Sequence, residues 1–132
     1  MKHNLFYRLP LALFCGAIFW QSAYPSLISE PLFPCDDKVM HLGAYTLMAV
    51  LAARWIRQEK QGLRLSMIRI LAFVFTALYG MSDEIHQAFV PARSASVMDW
   101  LADVAGALLG IWIYGWFLKN GKLIIQSLSK KV

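Results

Sequence analysis

With 132 residues, of which 58% are hydrophobic and only 16% charged, the chain has room for one domain and too little polar surface to cover it in water. Five Trp, five Tyr and eight Phe suit helices that set aromatic rings among lipid headgroups. The formal charge of +5 does not signal nucleic acid, because the bases are broken up by apolar runs and form no dense stripe interleaved with aromatics.

The pattern predicts an all-α integral membrane bundle of four transmembrane helices, spanning about 7–28, 37–55, 69–89 and 98–118, in a single domain over 1–132. The first apolar stretch, Leu9 to Ile28, follows Lys2 and Arg8 as a signal peptide would. Around Ser22, Ala23 and Ser26, however, no two small residues stand two apart, so a retained helix is expected. Cys15 lies inside this run and Cys35 follows about 20 residues later, roughly 30 Å along a helix, which argues against a disulfide. Pro31 and Pro34 then punctuate a first loop.

The remaining apolar stretches, Val39 to Ala53, Ile70 to Met81 and Val104 to Leu118, are too short alone for the roughly 20 residues that a span requires. Each must recruit polar neighbours. Gly62 marks the turn between the second and third spans. Phe89 to Met98 forms the next loop, with Pro91 closing one helix and Ser94 and Ser96 offering caps to the other. Ala102, Gly106 and Gly110 make a small-residue stripe on the last span, read as close helix packing. No internal repeat, low-complexity segment or second domain interrupts this order.

Charge is shared unequally between the two sides of such a bundle. All bases except Lys38 and Arg93 fall on one side: Lys2, Arg8, Arg54, Arg57, Lys60, Arg64, Arg69, Lys119, Lys122, Lys130 and Lys131. The other side holds every acid except Glu59, namely Glu30, Asp36, Asp37, Asp83, Glu84, Asp99 and Asp103. Basic segments stay inside, so both termini are expected to be cytoplasmic in a multi-pass protein of the cell inner (cytoplasmic) membrane.

Counting outward from Arg54, Arg69 and Leu118 at about 1.5 Å per residue puts His41, Asp83 and Asp103 at one level, about 20 to 22 Å up. That is several Å below the outer boundary of a core about 30 Å thick. Charges at such depth cost a few kcal/mol each and normally face a bundle interior, where they pair. Asp37, His41 and Tyr45 share a face of span two; Asp99, Asp103, Gly106 and Gly110 share one on span four; Asp83 and Glu84 each neighbour Gln87 on span three. These faces predict a polar pocket open to the outside.

Plainer roles suit several of these residues. Asp36 fits a cap for span two, and Ser96 with Asp99 matches a capping box. Lys38 suits an interfacial anchor as well as a ligand contact. His86 suits the interface, Glu30 the solvent, and Trp100, Trp112 and Trp116 lipid anchoring or packing. Capping does not account for His41, Asp83, Glu84 and Asp103, which are the candidate catalytic residues.

Asp37, Lys38, His41 and Tyr45, then Asp83-Glu84 with Gln87, Phe89, Pro91 and Arg93, then Asp99 with Gly106 and Gly110, together resemble the VanZ-like membrane proteins. The resemblance covers Asp37 to Gly110. It implies a cell-envelope membrane protein of a family named for an accessory protein of glycopeptide resistance; teicoplanin resistance itself does not transfer on a motif. The family usually has Asn where this chain has Asp103, so a potential charge replaces a neutral partner.

Three functions fit this pattern. The first is binding or handling of an envelope component, such as a lipid-linked glycan or phosphate precursor, by Asp37, Lys38, Tyr45, Gln87, Arg93 and Asp99, with Arg93 and Lys38 clamping an anionic group. The second is a membrane-embedded enzyme using His41 and the carboxylates by metal or acid–base catalysis. No His-Glu-x-x-His pattern is present, so metal and cofactor stay open. The third is a small proton-coupled carrier, for which four spans are few. The lipid bilayer is the expected partner, and a homo-oligomer is compatible with every reading.

Overall fold

The computed structural model describes residues 2–24, 35–91 and 93–129, with side chains over 5–24, 35–91 and 93–121. Glu30, Pro31, Pro34, Lys130 and Lys131 lie outside the described residues, as do Ser26 and the rest of the predicted end of the first span. Of Lys2 and Lys122 only the backbone is described.

The described residues form four α-helices and no strand: α1 (Lys2–Ser22), α2 (Asp36–Glu59), α3 (Leu65–Gln87) and α4 (Val97–Ser129). Three of these, α2, α3 and the Val97–Gly121 part of α4, are long and apolar enough to cross a membrane. The fourth, α1, packs along α2 and, more lightly, α3. Helix ends run past the apolar stretches because good helix formers carry on. α2 extends through Arg54, Arg57 and Glu59 before Lys60 leaves helical geometry. α3 starts at Leu65, four residues ahead of the expected 69.

The turn at 60–64 and the loop at 88–96 make α3 antiparallel to both neighbours, which leaves α2 and α4 parallel. Their register is constant. Lys38 meets Asp99, His41 meets Asp103, Leu42 meets Gly106 and Thr46 meets Gly110. The α2–α4 pairing is the most extensive in the molecule, and glycine permits it. A Cβ on Gly106 would overlap the Leu42 carbonyl oxygen, and one on Gly110 that of Thr46. The Thr46 hydroxyl is placed to donate to Leu42 O at 2.7 Å or to Gly106 O at 3.1 Å, joining the two backbones at that crossing.

Burial is inverted relative to a protein in water. Apolar Leu11, Met48, Ala52, Ile56, Ile68 and Ala72 form the core, yet Asp83, Glu84, Gln87 and Asp103 are buried with them. Leu78, Ile85, Trp112 and Phe117 are each more than half exposed. A surface this apolar is at home in lipid.

The two ends of the bundle differ in sign. At the end holding the C-terminus of α2, Arg8 donates to both Glu59 oxygens at 2.6 and 2.8 Å. The Arg54 guanidinium lies 4.9 Å from the Phe6 ring centroid and 4.7 Å from that of Tyr7, and the Arg69 guanidinium lies over Gly115. Apart from Glu59, the carboxylates of α2, α3 and α4 gather at the opposite end.

Candidate functional site

At that acidic end Asp37, His41 and Tyr45 share the i, i+4 face of α2: His41 meets the parallel helix α4, Tyr45 packs beside Tyr79 and Gly80 of α3, and Asp37 stands exposed beside Lys38. His41 Nδ1 and Asp103 Oδ1 stand 2.8 Å apart, and Asp103 is fully buried. Lys38 Nζ, one helical turn nearer the end, bridges Asp37 Oδ2 at 2.9 Å and Asp99 Oδ1 at 3.0 Å. An ion pair and a histidine–carboxylate hydrogen bond between the same two helices thus lie one above the other.

α3 supplies the third wall. Gln87 donates from Nε2 to Asp83 Oδ2 at 3.0 Å. Glu84 Oε2 accepts the backbone N–H of Ser96 at 2.7 Å, which pins the start of α4 to the end of α3. The expected capping box is half realised: Ser96 Oγ accepts the Asp99 N–H at 3.3 Å, while the Ser96 N–H goes to Glu84. Asp99 is thereby released to pair with Lys38. At α2 the residue before the helix is Cys35, and Asp36 sits inside the first turn, where its Oδ1 accepts the Asp37 N–H at 2.8 Å.

Several buried polar atoms in this region have no hydrogen-bond partner: Glu84 Oε1, Asp103 Oδ2 and the Tyr45 hydroxyl. Tyr45 faces Asp83 without closing a hydrogen bond to it. Its ring lies parallel to that of His41, with centroids 6.1 Å apart. Donor atoms of His41, Glu84 and Asp99, one from each of three helices, fall within 4.8 Å of one another. A buried acceptor left without a partner costs about 1–3 kcal/mol.

The model of the VanZ/LLP1 family matches residues 4–118. The chain belongs to the VanZ/LLP1 family. Searches of curated proteins and of solved structures found no match.

For this VanZ/LLP1 member the structure brings His41, Asp99 and Asp103 together with Glu84, and places Asp37, Lys38, Tyr45, Asp83 and Gln87 around them. Arg93 goes elsewhere. Its Nε donates to Tyr24 O at 2.9 Å and its Nη2 to Gln21 O at 3.2 Å, so it straps the C-terminal end of α1 to the loop before α4. His86 stacks on Phe19 with ring centroids 4.5 Å apart, tying α3 to α1. Trp100 donates to Ala77 O at 3.1 Å, whereas Trp112 and Trp116 face outward.

Gly80 was not singled out in the sequence. A Cβ there would stand 2.7 Å from Asp103 Oδ2 and 3.1 Å from the Tyr45 ring. It makes the space on α3 into which the Asp103 carboxylate fits. The signal was its spacing: three residues before Asp83, on the same face.

Proposed function

We propose that this VanZ/LLP1 protein binds or handles the polar head of an envelope component, such as a lipid-linked glycan or phosphate precursor, from the outer leaflet of the inner (cytoplasmic) membrane. The observation that carries this reading is Glu84. It is 6% exposed, it is held at one oxygen by Ser96, its other oxygen has no hydrogen-bond partner, and its carboxylate lies within 4.8 Å of donor atoms of His41 and Asp99. Such oxygens accept hydrogen bonds from sugar hydroxyls, while Lys38 offers a point charge to a phosphate. The outward orientation rests on the segregation of bases to the opposite end, which the positive-inside rule places in the cytoplasm. All the groups invoked come from one chain, so the reading does not require a homo-oligomer.

A second reading is favoured by the His41–Asp103 contact at 2.8 Å: a carboxylate that orients an imidazole beside another acid can support acid–base catalysis on the same ligand. Native mass spectrometry of protein extracted gently from its own membrane tests both. A co-purifying lipid-linked sugar or phosphate that is lost in Glu84→Gln is the expected result. Release of a cleaved product on incubation would select the enzymatic reading, and a folded wild-type protein with no such lipid would contradict the binding reading.

A further inference from the structure

We propose that His41, Glu84 and Asp99 form a site for a divalent metal ion of the zinc or manganese class, with Asp103 orienting the imidazole. The donors are one nitrogen and two carboxylate oxygens, from α2, α3 and α4, all within 4.8 Å of one another. Imidazole with carboxylates suits Zn2+ and Mn2+ better than Mg2+ or Ca2+, which favour sets made wholly of oxygen. Four ligands about 2.1 Å from zinc stand about 3.4 Å apart, so a pair of donors separated by as much as 4.8 Å needs to close by about 1.4 Å.

Two independent features go beyond a cluster of acids. Glu84 is a nearly completely buried side chain whose Oε1 has no partner, although Ser96 holds Oε2 and so fixes the carboxylate in place. His41 is already oriented, because Asp103 Oδ1 takes Nδ1 at 2.8 Å and leaves Nε2 as the nitrogen for a ligand. A carboxylate on the far ring nitrogen of a metal-binding imidazole sets its tautomer and direction. Asp99 keeps a free oxygen as well, since Lys38 engages Oδ1.

The charge around the trio points the same way. Asp37, Asp83 and Asp103 face it or adjoin it, and Lys38 is the base in contact with it. A 2+ ion offsets carboxylates in excess and turns an acidic cluster into one that can receive a phosphate oxygen at an open coordination position. That last step rests on the envelope-ligand reading; the metal site does not.

The test uses full-length protein purified in detergent, stripped with chelator and equilibrated with Zn2+ or Mn2+ alone, with bound metal counted by mass spectrometry. We expect about one ion per chain, lost in Asp99→Asn and in Glu84→Gln, and bound about 10- to 100-fold more weakly in Asp103→Asn. Asp99→Asn decides the matter if Glu84→Gln is not monodisperse, because Asp99 holds no other helix except through Lys38. Wild-type protein that takes up no stoichiometric ion at about 100 µM free metal, roughly a −5.5 kcal/mol affinity, would overturn the site, as would full retention in folded Asp99→Asn. Co-purified lipid is measured in the same samples: lipid kept without metal removes this inference alone, and metal bound without lipid removes only the envelope-ligand reading.

Discussion

Single residues at the acidic end divide into those that hold the cluster by packing and those that carry its polar groups. Gly80 belongs to the first group. Gly80→Ala puts a methyl against Asp103 Oδ2 and the Tyr45 ring, and overpacking of this kind costs about 1–3 kcal/mol. We expect a lower midpoint of thermal unfolding in detergent, whereas Gly43→Ala, which meets nothing within 4 Å, leaves it unchanged or raised. Equal behaviour of the two variants would show that Asp103 does not need that space. His41, Asp83, Glu84 and Asp103 stood out in the sequence because ionisable groups at membrane depth demand a reason. Arg93 read as an anion clamp because its charge was visible, whereas its partners, the carbonyls of Gln21 and Tyr24, carry no sequence signature.

At the scale of helices, the α2–α4 crossing decides whether the cluster exists, since both the Lys38–Asp99 ion pair and the His41–Asp103 contact depend on its register. Gly106→Leu forces the two backbones apart at the Leu42 carbonyl, and we expect loss of monodisperse protein on gel filtration together with rapid proteolysis. Normal elution of this variant would mean that the crossing is not held by glycine. The stripe of Gly106 and Gly110 was legible as packing, but its partner was not: small residues announce a close neighbour without naming it. The same limit applies to Ser96. Its cap for α4 follows from local spacing, but the capture of its N–H by Glu84 joins residues twelve apart through a loop. Helix ends were legible unevenly: α2 ends at Glu59, a few residues past the expected 55, where Arg57 and Glu59 favour helix, whereas α4 runs on to Ser129, well past the expected 118, and hydropathy gave no sign of that extension.

For the whole molecule, composition alone separated membrane from water, and the structure gives that separation a shape: apolar residues outward, Asp83, Glu84 and Asp103 buried at one end, and the arginines other than Arg93 at the other. The functional account depends on which way this shape sits in the membrane. Cys35, exposed and immediately ahead of α2, reports on the acidic end, and Cys15 lies half-buried within α1. The most direct measurement is therefore labelling of Cys35 with a membrane-impermeant maleimide in spheroplasts of cells expressing Cys15→Ser. We expect Cys35 to be labelled without permeabilisation, which places the cluster at the outer leaflet. Labelling only after the membrane is opened would put the cluster in the cytoplasm and contradict an outward-facing site for an envelope component.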